Sequence, residues 1–458
     1  MAGPSVFAKR KVLLSVLVLA AALRLAPVAF HRGEPAWVST FDSRAYLELA
    51  QSLIERGTLV RFPPPDEARI VNPWPAEVFR TPGYPVILAA ILAAGGNALA
   101  IVAAQIAIDL AAIVLCAYLG TRLFGPRAGL IASALLALDV GHIVYANTIM
   151  SDVPFAAVVI SAVVLTARGS GTHGTPDRGT TSGTALLLAG LAVSCACAIR
   201  PIAALAGAPL AIFARWRGSS WRGVALLLAG SLLFPAGWMA RNRAENGVLT
   251  VSNAGTFNLY LFAASKVKAR GERITQAAAF DRIVDAAVEE LKRRGPGDWA
   301  GALRAAGGWT FTTYRLATVA EAGRAVAEMT VAGERRMLFR VFASERGERS
   351  AGINQGRREL GHVLDYLATA DRVEASLVVV QLLVNALIDL LAVIGLWRMI
   401  RQRRRAEAFL VAALVAYFLL GSITVGSARM RMPVSFLIDL AAGFGLTAFT
   451  RSGTPSRS

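Results

Sequence analysis

An all-α polytopic membrane protein is the fold class this sequence predicts, on three observations. Of 458 residues, 55% are hydrophobic and only 17% charged, with a mean hydropathy of +0.52. Several apolar runs approach the roughly 20 residues that a helix needs to cross a bilayer. Arginine clusters stand mostly beside these runs, where the positive-inside rule expects them. The net charge of +18 therefore serves membrane topology, and no nucleic-acid partner is expected.

Taken in order, Lys9, Arg10 and Lys11 precede a first span at 12–30. It lacks a small-x-small cleavage site and reads as a retained anchor with its basic start in the cytoplasm. The stretch 31–85 is then the first outer loop. Within it Ala45, Tyr46, Leu49, Ala50, Leu53 and Ile54 recur at helical spacing, while Ser43, Arg44, Glu48, Gln51 and Glu55 take the other side. This predicts a short amphipathic helix, too charged to span, ending at Gly57. A proline-rich passage leads to Arg80 and a Pro-Gly-Tyr-Pro break; the apolar run after it, 86–94, is too short to cross and is either re-entrant or interfacial.

Further spans are predicted at 98–118, 128–145 and 153–167, and, beyond a Gly/Thr/Ser-rich cytoplasmic linker, at 185–199, 202–213 and 224–240. The section 241–372 is long, polar and outer, with surface or interfacial helices at 280–291 and 299–314. The last spans, 375–397, 409–423 and 433–449, include between them the inside cluster Arg398, Arg401, Arg403, Arg404 and Arg405. About ten transmembrane helices result, in three regions: N-terminal membrane helices within residues 1–240, the outer section 241–372, and C-terminal membrane helices within residues 373–458.

This topology gathers Asp42, Arg80, Asp152, Arg241, Arg243, Arg429 and Arg431 at the outer ends of spans. Ionisable groups near a bilayer are costly unless paired or functional. Each has a plainer role open to it. Asp42 and Asp152 can start helices, Arg80 can anchor headgroups, Arg429 and Arg431 can snorkel, and Arg241 and Arg243 can mark a topological stop. Together, an anion and cations beside the membrane surface suit a reaction on a lipid-borne phosphate. Cys116, Cys195 and Cys197 fall within apolar runs and read as core residues; the four histidines, His31, His142, His173 and His362, show no metal spacing. Neither a catalytic metal nor a cofactor is expected.

The segments FDSRAYLELAQSLIERG and FRTPGYPVILA resemble the first outer loop of the GT-C membrane glycosyltransferases, in the branch that includes protein O-mannosyltransferases and the lipid A aminoarabinose transferase. NTIMSDVPF, PAGWMARNRAENGVLTVSNAGTFNLYL and ARMRMPVSFLIDLAAGFG fit the same branch in matching order. The resemblance implies a GT-C-like bundle, a polyprenyl-phosphate-linked sugar donor, transfer usually with inversion, and a lipid, glycan or protein acceptor at the outer face. By it, Asp42 is the catalytic base and Asp152 a second acid that orients the acceptor or a cation. Arg80, Arg429 and Arg431 hold the donor phosphate, and Tyr84, Arg241 and Arg243 border the donor cavity. The section 266–372 resembles nothing in the family, and the soluble carboxy-terminal domain of some members is not expected. Two alternatives stay open: a transporter of lipid-linked sugars, which needs access to both faces, and a non-enzymatic scaffold, which has no use for the charges. Richness in Ala and Arg adds the expectation of a bacterial inner membrane, a site facing the periplasm, and undecaprenyl or decaprenyl phosphate as the lipid.

Overall fold

The computed structural model describes residues 4–31, 38–60, 74, 76–171, 180–330 and 372–449, and among them every regular element is helical. Helix α1 (Pro4–Phe30) leads to α2 (Phe41–Arg56), the predicted amphipathic helix. Thr40 caps α2: its hydroxyl accepts the Ser43 N–H, and the Ser43 hydroxyl accepts the Thr40 N–H in return. Gly57, at φ 67°, closes the other end in the left-handed conformation. The Pro-Gly-Tyr-Pro segment is the start of a helix rather than a break before one. Both prolines fall at the beginning of α3 (Gly83–Ala93), where a missing N–H costs nothing.

Helix α4 (Ala98–Phe124) runs from the α2 end of the bundle to the opposite end. Helices α5 (Pro126–Leu138) and α6 (Val140–Ala146) return, bent by 55° at Asp139. Helix α7 (Asp152–Gly169) descends again and α8 (Thr180–Ile199) climbs back. A 3₁₀ turn, Pro201–Leu205, connects to α9 (Gly207–Trp216), and α10 (Trp221–Asn246) follows. At the C-terminal end come α15 (Arg372–Arg401), α16 (Arg405–Gly421) and α17 (Met432–Leu446). Helix α17 is buried on nearly all sides, packed against α5, α7, α15 and α16, while Leu383, Leu387 and Leu390 of α15 and Leu14 and Val18 of α1 face outward. Cys116 and Cys197 are core residues, but Cys195 is exposed on α8.

By length and composition, five described helices can cross a membrane, six if the bent α5–α6 pair counts as one. The other predicted spans are shorter apolar helices, such as Gly183–Ile199 and Pro201–Trp216, which Arg200 and Pro201 separate. Between α10 and α15 lie α11 (Ala264–Glu272), α12 (Gln276–Arg294), α13 (Trp299–Gly307) and α14 (Arg315–Thr330). The apolar face of α12, with Ala279, Ile283 and Ala287, meets α11 and α13; Ile283 and Ala287 join Leu261, Ala264, Trp299, Leu303 and Ala306 in a second small core. Apolar faces that the sequence places on a surface therefore pack largely against one another.

One close approach sets the geometry of the α2 end. A Cβ on Gly83 would lie 2.6 Å from the backbone carbon and oxygen of Ala198, so α3 and α8 meet backbone to backbone. That contact holds Arg80, just before α3, at the same end as Arg200, just after α8. Gly83→Ala is expected to cost about 1–3 kcal/mol, read as a lower unfolding temperature of the detergent-solubilised protein. Gly237→Ala, with nothing within 4 Å of the added carbon, should not lower it.

Candidate functional site

Five charged side chains converge where the start of α2, the approach to α3, the start of α7, the end of α8 and the approach to α17 meet. Because Thr40 and Ser43 cap α2 between them, the Asp42 carboxylate is released from capping. Its Oδ1 accepts Arg80 Nη2 at 3.2 Å and its Oδ2 accepts Arg429 Nη1 at 3.2 Å. Arg429 also reaches the second acid, its Nε lying 4.0 Å from Asp152 Oδ1. Arg200 Nη1 donates to that same oxygen at 2.8 Å. The charges therefore alternate as Arg80, Asp42, Arg429, Asp152, Arg200, with one positive charge in excess.

The two acids sit in different surroundings. About a third of the Asp42 side chain is accessible (34%), whereas Asp152 is sealed at 0%. Burial pushes the Asp42 carboxyl upward, but the charges of Arg429 and Arg80 and the Arg429 hydrogen bond outweigh it and hold the group below the usual carboxylate range. Burial likewise opposes the Arg429 charge, and Asp152 and Asp42 overcompensate, so this guanidinium is held charged more firmly than usual. Asp152 Oδ2 and Arg429 Nε are buried without a hydrogen-bond partner among the described residues. A buried acceptor and a buried donor left open cost free energy.

Backbone devices aim each member. Buried Glu77 accepts the N–H groups of Phe79 and Arg80 on one oxygen, at 2.6 and 2.8 Å. The Glu77 carbonyl takes Arg241 Nη1 at 2.9 Å, and the Phe79 carbonyl takes the Ser252 hydroxyl at 2.6 Å. The Arg80 guanidinium lies 5.3 Å from the ring centres of both Tyr46 and Phe79. The loop before Asp152 is stitched to α2: the Ser43 hydroxyl donates to the Ile149 carbonyl at 2.7 Å, and the Tyr46 and Ser151 hydroxyls are 3.2 Å apart. From the other side the Gln105 amide donates to the Thr148 carbonyl at 2.7 Å.

Four of the residues singled out in the sequence, Asp42, Arg80, Asp152 and Arg429, thus come together. Arg431 does not join them. It forks onto Asp389 of α15, at 3.0 and 2.7 Å, and donates to the Thr330 carbonyl. In the 3₁₀ turn Ala428–Arg431 residues advance about 120° each, so side chains two apart diverge. Tyr84 lies beneath the site rather than lining it; it is fully buried, with its hydroxyl donating to Gln105 Oε1 at 2.7 Å and its ring edge-on to Tyr46. Arg241 braces Glu77 and pairs with Glu245, while exposed Arg243 closes the end of α10 on the Gly247 carbonyl. Arg200 is the member that sequence reasoning missed. Its signal was present as a lone arginine between two apolar runs, where a charge needs a partner.

No family model and no curated protein sequence matches the chain. Solved structures do match. The apo oligosaccharyltransferase of Archaeoglobus fulgidus aligns at a TM-score of 0.52 and 13% identity, over 96% of this chain and 50% of that one. The oligosaccharyltransferase AglB from the same archaeon, in complex with an inhibitory peptide and a dolichol-phosphate, aligns at 0.51 and 15% identity, over 95% and 50%. ArnT from Cupriavidus metallidurans bound to undecaprenyl phosphate aligns over 100% of this chain and 82% of its own, at 14% identity and a TM-score of 0.41. The chain is a polytopic membrane protein, and its fold is that of the GT-C glycosyltransferases. It spans about half the length of the archaeal enzymes it matches.

The Glu77 turn can be tested apart from any activity. Glu77→Ala leaves the Phe79 and Arg80 N–H groups without their acceptor, a loss of roughly 1–3 kcal/mol. Limited trypsin digestion of the folded protein should then nick the Arg80–Thr81 bond faster than in wild type, with cleavage elsewhere unchanged.

Proposed function

We propose that this chain moves a sugar from a polyprenyl-phosphate-linked donor to an acceptor hydroxyl or phosphate group at the outer membrane face. Asp42 carries the proposal: a partly open carboxylate with a guanidinium on each oxygen. The leaving group is a phosphate ester, stable as an anion, so catalysis needs positive charge where negative charge develops rather than a general acid. Arginine suits this because its planar fork meets phosphate oxygens and stays charged. On this reading Arg80 and Arg429 hold the donor phosphate. As the acceptor oxygen bonds to the anomeric carbon, its proton passes to Asp42. The bond from that carbon to the phosphate oxygen breaks, and its electron pair stays on the phosphate beside the arginines. Attack from the side opposite the phosphate inverts the anomeric centre. Asp152, paired with Arg200, holds Arg429 from behind.

The dolichol-phosphate on the archaeal enzyme of the same fold supports a lipid-linked donor. The acceptor on this reading is a lipid, a glycan or a protein, and the setting a bacterial inner membrane with the site on the periplasmic side. The far end of the bundle speaks against passage of a lipid-linked sugar. There Arg217 pairs with Glu407 at 2.5 Å, both buried, Arg404 donates to the Leu123 carbonyl at 2.7 Å, and Arg122 to the Ala167 carbonyl at 3.0 Å.

Asp42→Asn is expected to lower transfer by roughly 100-fold or more while the protein still folds and inserts into the membrane. In cells lacking the chain, mass spectrometry should show one polyprenyl-phosphate sugar accumulating, relieved by wild type and not by Asp42→Asn; full relief by the mutant would refute Asp42 as the base. Because the arginines hold the Asp42 carboxyl low, the base is ionised throughout the neutral range and is lost only as pH falls through that depressed value. Arg429→Gln removes the larger lowering charge, so the acid limb of kcat/KM should move to higher pH. A limb that stays in place would separate Arg429 from the titrating group.

A further inference from the structure

The outer helices carry none of the motifs on which the proposed chemistry rests, yet they grip the turn that delivers Arg429. We infer that α11 and α14 form a frame for Arg429, with Lys266 as the positioning residue; this rests on the donor-phosphate role given to Arg429 above. Lys266, on α11, donates from Nζ to the Val425 carbonyl at 2.7 Å, and its ammonium lies 4.4 Å from the centre of the Phe262 ring. Val425 and Gly426 both donate to the Ser422 carbonyl at 3.0 Å, closing a tight turn three residues before Arg429. Gly426 has φ +57°, and a Cβ there would lie 2.6 Å from Ala325 Cβ on α14. Beyond Arg429 the same segment is held again, by Arg431 on the Thr330 carbonyl and on Asp389. The turn is thus pinned by α11 on one side and by α14 on both sides of the arginine.

The two helices act as one body because charges join them. Arg270 on α11 pairs with Glu321 on α14 at 2.8 Å, and Arg324 pairs with Glu321 and Glu328 along α14. The position of Lys266 is a costly one. Burial, then the charge of Arg324, draw its pKa down to about 8 against the opposing pull of Glu328 and Glu321. A lysine free to extend into water would avoid that loss, whereas here it is committed to one carbonyl of the turn.

A double-mutant cycle on the full-length chain in lipid nanodiscs tests this, with undecaprenyl phosphate binding as readout and unfolding temperature as control. Arg429→Ala should weaken binding about tenfold, and Lys266→Met by a similar factor in the wild-type background. In the Arg429→Ala background Lys266→Met should have no further effect, because it acts through the arginine. Lys266→Arg, which keeps a donor and a charge, should restore most of the affinity. Equal loss in both backgrounds, or no loss from Lys266→Met alone, would overturn the inference while leaving the Arg429 role standing. No loss from Arg429→Ala would overturn the phosphate role and the inference with it. Should Lys266→Met fail to fold, Ala325→Val, which presses on Gly426 from the opposite side, enters the same cycle with the same expected pattern.

Discussion

Arg429 bridging two carboxylates is the interaction on which the α2 end of this molecule depends. Its guanidinium meets Asp42 on one side and approaches Asp152 on the other. Without it, one buried and one half-buried carboxylate would sit close together with only Arg80 and Arg200 to offset them. Removing one partner of a buried ion pair typically costs about 3–5 kcal/mol. Three chain segments far apart in sequence, at the starts of α2 and α7 and just before α17, are therefore tied at one point by charge as well as by apolar packing.

The same constraint is met a second time deeper in the bundle. Arg24 of α1 is fully buried and donates to Asp109 of α4 at 2.5 Å, and Asp109 also lies 2.5 Å from His142 Nδ1 on α6. His142 Nε2 is 2.9 Å from the Ser435 hydroxyl on α17. Asp139, at the bend between α5 and α6, accepts the His142 N–H, and the Asn147 amide holds the Arg24 carbonyl at 2.9 Å. Helix α6 is thus anchored at both ends, and it leads straight into the loop that carries Asp152. The cluster thereby ties α1, α4, α6 and α17 together beside the segment that leads to α7.

The features legible in the sequence are those governed by local rules. Helix α2 followed from apolar spacing and its glycine stop, and Asp42, Arg80, Asp152 and Arg429 from charge at the ends of apolar runs together with family resemblance. What was not legible depends on geometry across the fold. That Thr40, and not Asp42, caps α2 required knowing that Ser43 turns back. Arg431 looked equivalent to Arg429 two positions away, but a 3₁₀ turn sends the two to different partners. Arg200 was hidden because the proline after it reads as a divider between spans. The second core, among α11, α12 and α13, was invisible because an amphipathic helix bears the same periodicity whether its apolar face meets lipid or protein.

The buried Arg217–Glu407 pair at the far end of the bundle has a consequence for traffic. On the proposed reading no lipid passes this end, so the substrate arrives and departs sideways through the bilayer, within a single leaflet. Spent carrier and fresh donor then share one lateral doorway. The ratio of the two in that leaflet, rather than the amount of donor in the cell, would govern how often the site is productively filled.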